Sequence, residues 1–251
     1  MEVFGSAEWG RRSVGDLTRR EKIRYLMHAV AYQVSDWGRI LNSDQRRKLA
    51  ILDWDRLIVP DSPVAINAEA LLRESSPDYL INHCWRTYIW GAVLSKVDDL
   101  RHDPEILFVA SMLHDLGHTP EHASCTAQHC FAITGANGAR TFLEGQGWSA
   151  DRSSQVADAI AQHLNMASML RGASAEAQLL QTGAAFDVVG ARHREIDRGF
   201  VNEVLDRYPR RHFAEKFSAL MKDESTKWPD TRTAVMVRQL QFCARVARTP
   251  F

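Results

Sequence analysis

Residues 103–118, DPEILFVASMLHDLGH, begin with residues that start a helix and end with residues that can bind a metal ion. Asp103 is placed to cap a helix, and Pro104 suits the first helical position. Apolar residues then recur at helical spacing, at Ile106, Val109, Ala110 and Leu113. His114 and Asp115 fall in the last turn, where both side chains can converge on one ion lying off the helix end.

The same pattern of caps and apolar spacing recurs along most of the chain. Further helices are predicted from the capping residues Asp16, Asp61 or Ser62, Ser76, Ser149 or Asp151, and Ser174. Residues 44–53 predict one more short helix, and Gly117 is predicted to end the helix that begins at Pro104 in the left-handed conformation. Because strand-type alternation is nearly absent, the predicted fold is all-α.

Composition places the chain among globular proteins without a generic polyanionic partner. Of its 251 residues, 45% are hydrophobic and 25% are charged. Lys and Arg number 31 and Asp and Glu number 31, so the formal net charge is zero. This balance argues against a generic partner such as a nucleic-acid polymer or an acidic membrane, although a local basic patch stays open, and a small-molecule substrate needs no global charge.

Targeting signals and cysteine usage predict a cytoplasmic protein. No stretch approaches the ~18 apolar residues of a membrane span, and the first twenty residues lack the apolar core of a signal peptide. The four cysteines, at 84, 125, 130 and 243, form no CxxC pair and are interpreted as reduced thiols. Homo-oligomerisation is the general expectation for such a protein.

Three further residues have the chemistry to join the His114–Asp115 pair. His83 lies on the helix that follows Ser76, and His163 shares an apolar helical stripe with Val156 and Ile160. Asp187 lies among small and apolar residues, where a buried carboxylate is costly unless it pairs or binds a cation. Mixed imidazole and carboxylate donors suit zinc, iron, manganese or nickel without discriminating among them.

The order His … His-Asp … Asp on successive helices resembles the HD-domain superfamily of metal-dependent hydrolases. The stretch from NHCWRTYIWGAV to MLHDLGHTPEH is similar, more narrowly, to the cyanamide-hydratase-like branch, as are GANGARTFLEGQGW, AIAQH and AAFDVVGAR. The resemblance covers about residues 57–200. It implies a helical bundle with a central metal ion held by His83, His114, Asp115 and Asp187.

The implied cofactor is one divalent transition metal, zinc or iron first, with manganese, nickel or cobalt as further options. Such an ion lowers the pKa of bound water towards ~7 and can polarise a nitrile. In the hydratase (lyase) interpretation, hydroxide attacks the nitrile carbon of cyanamide and proton transfer gives urea.

Four further residues are candidates for catalysis or substrate binding. His118 is the first candidate for general acid–base catalysis and His163 the second, with an extra-ligand role open to the latter. The resemblance suggests that the Thr119 hydroxyl binds substrate. His122, four residues after His118, is a further substrate-binding candidate.

A phosphohydrolase is the main alternative. The branch often lacks histidine at position 118, and HDLGH followed by Thr119 and Pro120 is closer to some HD nucleotide hydrolases. A nucleotide or other phosphate ester is best bound by an arginine whose guanidinium forms two parallel hydrogen bonds to the phosphate. Arg86, three residues after His83, is the candidate for this role.

Two other interpretations stay open on the sequence alone. His118, His122 and His163 could complete a second metal site, and a degenerate HD module could bind a ligand without catalysis. Residues 57–210 are predicted to form the HD domain. Residues 1–56 are a helical N-terminal extension in this interpretation, and residues 211–251 are C-terminal helices packed on the same domain.

Overall fold

A computed structural model describes residues 3–41, 57–119, 121 and 128–251, and these residues are almost entirely helical. In chain order the helices are α1 (Ala7–Ser13), α2 (Arg19–Leu41), α3 (Pro63–Ser75), α4 (Asp78–Val97), α5 (Pro104–Leu113), α6 (Phe131–Gly145), α7 (Ala150–Gln162), α8 (Ala175–Val189), α9 (Arg198–Arg207), α10 (Phe213–Lys227), α11 (Arg232–Gln239) and α12 (Phe242–Ala247). Short 3₁₀ turns span Leu116–His118, Ala167–Met169 and His193–Glu195. No strand occurs within these ranges, which confirms the predicted all-α fold.

Four of the predicted caps are confirmed by their hydrogen bonds. The Asp103 carboxylate accepts from the backbone N–H groups of Glu105 and Ile106. The hydroxyls of Ser62, Ser149 and Ser174 each accept from the N–H three residues later. These caps set where α3, α5, α7 and α8 begin, because each satisfies donors that the first helical turn leaves free.

The prediction that Asp16 caps a helix is wrong, because Thr18 and Glu21 perform that role. The Thr18 hydroxyl accepts from the Glu21 N–H at 3.3 Å, and the Glu21 carboxylate accepts from the Thr18 N–H at 2.8 Å. This reciprocal pair is a capping box, and it starts α2 at Arg19. The Asp16 carboxylate instead contacts His129 Nδ1 at 2.9 Å.

Ser76 is also not the cap that the sequence predicts. Pro77 occupies the N-cap position of α4 and offers no side-chain acceptor, whereas Ser76 ends α3 by donating its N–H to the Leu72 carbonyl. The predicted helix over 44–53 lies outside the described residues.

The helix α4 lies at the centre of the bundle and is buried on every side. Its large side chains Tyr88, Ile89, Trp90 and Leu94 are at most 1% exposed. It packs most closely on α8, because a Cβ on Gly183 would lie 2.2 Å from the Thr87 carbonyl oxygen. This contact brings His83 on α4 and Asp187 on α8 to the same place.

Replacing Gly183 with alanine is expected to lower the free energy of unfolding by about 1–3 kcal/mol, because the added methyl group must push α8 away from the α4 backbone. Guanidinium chloride unfolding measures the effect. Gly145→Ala is the matched control, since a Cβ there meets nothing within 4 Å. Equal stability of the two variants would contradict the role of Gly183.

The prediction that Gly117 ends a helix in the left-handed conformation is wrong, and its role is different. Helix α5 already ends at Leu113, and Gly117 lies in the 3₁₀ turn without a positive φ. A Cβ on Gly117 would lie 2.0 Å from the Phe131 carbonyl oxygen. Glycine is therefore needed so that the start of α6 can approach the His114–Asp115 turn closely.

Among the described residues, no helix is both long and apolar enough to cross a membrane. Cys84, Cys130 and Cys243 are free thiols, and Cys125 lies outside the described residues.

Candidate metal centre

Three of the predicted ligands come together at one buried point. His83 Nε2 lies 3.2 Å from His114 Nε2, and the Asp115 Oδ2 atom is 3.6 Å from each of these nitrogens. The three side chains are at most 2% exposed. Helix α4 supplies His83, and the end of α5 supplies the adjacent His114 and Asp115, as the helix-end argument predicts.

Hydrogen bonds at Nδ1 fix the tautomer of both imidazoles. His114 Nδ1 donates to the Ser111 carbonyl at 2.8 Å, and His83 Nδ1 donates to the Asp187 carboxylate at 2.7 Å. With Nδ1 protonated, the neutral ring presents an unprotonated Nε2. Both rings therefore direct a lone pair to the same point, which is the arrangement that metal-binding histidines adopt.

His83, His114 and Asp115, here called the triad, are better satisfied by a bound cation than by hydrogen bonds to one another. Asp115 Oδ2 is buried and has no hydrogen-bond partner, although unpaired buried carboxylates are costly. Burial raises the pKa of Asp115, and protonated His114 and His83 would lower it to about 2; with both rings neutral, a bound cation would take over that role. An ionised carboxylate and two imidazole lone pairs then face one another, and a divalent ion satisfies all three.

Asp187, the fourth predicted ligand, lies on the far side of His83 from this triad. Its Oδ2 is 2.7 Å from His83 Nδ1 and 2.8 Å from Arg86 Nη2, and its Oδ1 is 2.6 Å from Arg86 Nε. Burial opposes ionisation, yet the Arg86 guanidinium and the His83 hydrogen bond hold the pKa of Asp187 well below its usual range. Asp187 therefore orients His83 in this arrangement, and direct ligation would require it to leave the salt bridge.

The predicted substrate-binding role of Arg86 does not agree with the structure. Arg86 is fully buried and binds Asp187 through Nε and Nη2. Its Nη1 donates to the carbonyl oxygens of Tyr208 and Pro209 at 3.0 and 3.3 Å. Each guanidinium nitrogen is already engaged by protein acceptors, so Arg86 is an internal partner of Asp187 and not a free phosphate ligand.

His163 is the better placed of the two acid–base candidates. It ends α7, its ring lies edge-on to His114 with centroids 5.1 Å apart, and it lines the same cavity as the triad. Its Nδ1 donates to the Ile160 carbonyl at 2.6 Å, which leaves Nε2 to accept a proton. Burial lowers the pKa of His163 to about 3, so the ring is neutral at pH 7.

His118 lies beside the triad but does not line that cavity. Its ring stacks on Phe131 with centroids 3.7 Å apart, and its Nε2 is buried without a partner. Burial lowers the pKa of His118 to about 4. The neighbouring Thr119 hydroxyl donates to the Leu116 carbonyl at 2.8 Å, and His122 lies outside the described residues.

A cavity of about 110 Å³ opens beside the triad and His163. Its walls are mostly apolar and come from helices far apart in sequence; they include Ala29, Phe131, Ala184, Val188, Phe217, Met221, Met236 and Phe242. The polar side chains on the wall are Tyr32, Asn165, Gln181 and Arg245. None of these four is marked by a motif, so sequence reasoning missed them.

The C-terminal helices complete the site. On α10, the rings of Phe213 and Phe217 pack against His83, with centroids 5.0 and 5.6 Å from the imidazole. This packing restrains the His83 ring together with its contact to His114.

Comparison with known families agrees with this geometry. Residues 80–197 match the family model of the HD domain, a range that includes His83, the His114–Asp115 pair, His163 and Asp187. The matched segment, a little under half of the chain, is therefore similar to the HD domain, a family associated with metal-dependent hydrolases and phosphohydrolases. No curated protein matches the chain.

Proposed function

We propose that this protein is a metal-dependent hydratase or hydrolase for a small uncharged substrate, and that it hydrates a nitrile such as cyanamide to urea. The observation that carries the proposal is the cavity beside the triad. It is small and apolar-walled, and such a wall favours a neutral substrate over a highly charged one.

His83, His114 and Asp115 would hold the ion, with zinc or iron as the first choices. When bound, a divalent ion supplies a water-derived nucleophile near neutral pH and polarises the substrate. Asp187 keeps the His83 ring oriented through its Nδ1–H, and the rings of Phe131 and Phe217 keep bulk water away from the reacting group.

His163 is the residue that would move protons. Its Nε2 would accept a proton from the attacking water and return it to the nitrile nitrogen, so that one water adds across the C≡N bond to give the isourea. Transfer of the hydroxyl proton to the same nitrogen then gives urea. The Ile160 carbonyl holds the ring in the tautomer that this step needs.

Exchange of His163 for asparagine is expected to reduce kcat by about 10²–10⁴-fold with the metal retained, because general acid–base catalysis contributes a factor of this size. Cyanamide hydration and elemental analysis on the same sample measure both quantities. His118→Asn is the matched comparison and should reduce kcat less, since His118 does not line the cavity. A larger loss for His118→Asn would reverse the assignment.

The phosphohydrolase alternative is favoured by one different observation. Arg245 is the only cationic side chain among the described residues that line the cavity, and it is partly exposed. A phosphate or carboxylate group on the substrate could bind there, so Arg245 replaces Arg86 as the arginine to test.

An assay of wild type and Arg245→Leu separates the two candidates. The hydratase proposal predicts urea from cyanamide, little phosphate from a nucleotide panel, and an Arg245→Leu variant within about threefold of wild type. Phosphate release that falls at least about tenfold in the variant, roughly the loss of one charged hydrogen bond, would instead support phosphohydrolysis.

A further inference from the structure

Gln181 is a largely buried residue whose side-chain amide has no partner in the described part of the fold. It lies on α8 and is 8% exposed. No hydrogen bond joins its amide to any other residue in the described part of the chain. Because the Gln181 amide is not among the fully buried polar groups that lack a partner, its atoms reach accessible space, where water or a substrate can bind them.

Gln181 also lies between two cavities, one with mostly apolar walls and one with mostly polar walls. One is the apolar cavity that the metal triad lines. The other is polar, has a volume of about 300 Å³ and is lined by Gln178, Thr182 and Arg192 among others. Tyr32 and Gln181 line both cavities, so the Gln181 amide is a polar point on the wall of the metal cavity.

The other amide on the metal cavity wall is already engaged. Asn165 Oδ1 accepts from Arg232 Nη1 at 2.9 Å, and Asn165 Nδ2 donates to the Phe4 carbonyl at 3.0 Å. These two bonds fix Asn165 as a structural link between the N-terminal segment and α11. Gln181 is therefore the amide left to bind a ligand.

We propose that Gln181 is a specificity-determining residue that accepts a hydrogen bond from the substrate through its side-chain carbonyl. It would select nitriles that carry an N–H next to the reacting carbon over alkyl nitriles. Cyanamide and acetonitrile have the same shape and differ in this group, an amino in one and a methyl in the other. The proposal rests on the proposed hydration, and its test includes a binding readout that needs no turnover.

The test compares Gln181→Met with Gln178→Met, both loaded with zinc. Methionine matches the length of glutamine and removes the amide. Gln178 lies one turn earlier on α8, lines only the polar cavity and donates to the Ala173 carbonyl, so it is a matched control. Circular dichroism and metal content verify that each variant is folded and loaded.

The first readout is the ratio of kcat/KM for cyanamide to kcat/KM for acetonitrile. Gln181→Met is expected to reduce this ratio about tenfold, because a site built to bind an N–H loses that selectivity with its acceptor. Gln178→Met should stay within about twofold of wild type. An equal change for both nitriles, or no change, would overturn the proposal while the hydratase function stands.

The second readout is binding, followed by NMR saturation transfer from the protein to the acetonitrile methyl protons. Cyanamide should displace acetonitrile from wild type, and Gln181→Met should need about tenfold more cyanamide for the same displacement. Equal displacement in the two proteins, or no binding of either probe to wild type, overturns the proposal. Wild type that binds cyanamide selectively but produces no urea would instead count against the hydratase function alone.

Discussion

His114→Ala is expected to purify without stoichiometric metal and to lose at least about 10³-fold in kcat/KM, since the ion supplies several kcal/mol of transition-state stabilisation. The variant removes one of three convergent donors, and the remaining imidazole and carboxylate hold an ion more weakly. Elemental analysis, a cyanamide assay and circular dichroism on one preparation measure metal, activity and helicity.

His102→Ala is the control for this prediction. His102 precedes α5, and its Nδ1 is near only the Leu100 carbonyl, at 3.4 Å. It should keep both metal and activity. Full metal content in both His114→Ala and His83→Ala would show that the triad is not the metal site.

Arg86→Met is expected to lower the free energy of unfolding by about 3–5 kcal/mol, the cost of removing one partner of a buried ion pair. The loss removes the two closest hydrogen bonds that a cation makes to Asp187 and leaves Arg210, 3.3 Å from Oδ1, as its remaining cationic partner. It also frees the carbonyls of Tyr208 and Pro209. Guanidinium chloride unfolding measures it, because urea is the expected product of the reaction.

Two controls test whether the lost stability comes from the buried ion pair or from the removal of any arginine. Arg73→Met breaks the exposed Arg73–Glu69 pair, whose arginine side chain is 55% exposed, and should cost less than about 1 kcal/mol. The double variant Arg86→Met/Asp187→Asn should lose less stability than the sum of the two single losses, because it removes both members of the buried pair. Arg210, which lies 3.3 Å from Asp187 Oδ1, keeps its hydrogen bond to the backbone carbonyl of residue 187. An Arg86→Met variant as stable as Arg73→Met would contradict the assigned pairing.

The sequence predicts the helices well because caps and apolar spacing are local signals. The ligand set His83, His114 and Asp115 comes from the resemblance to the HD domain, and only the position of His114 and Asp115 at a helix end follows from local signals. Asp103, Pro104 and the apolar spacing that follows mark the beginning of α5, and this beginning places His114 and Asp115 at its end. The prediction of an all-α fold is confirmed for the same reason. Where two capping residues are close in sequence, as Asp16 and Thr18 are, the reciprocal bond to Glu21 decides between them.

The partners of Asp187 could not be predicted from local signals. Arg86 lies one turn after His83 on α4, so both side chains face α8 and compete for the same carboxylate. Their distance from Asp187 depends on the close approach of α4 and α8 at Gly183, which is a long-range contact. The cavity residues Gln181 and Arg245 are likewise brought together only by tertiary packing.

Metal content of the untagged wild-type protein tests the central claim most directly. The three buried donors at one point predict about one zinc or iron per chain after purification, and two per chain would indicate the dinuclear alternative. The same sample should convert cyanamide to urea. No bound metal, even after reconstitution with zinc and with iron, would contradict a metal centre at His83, His114 and Asp115.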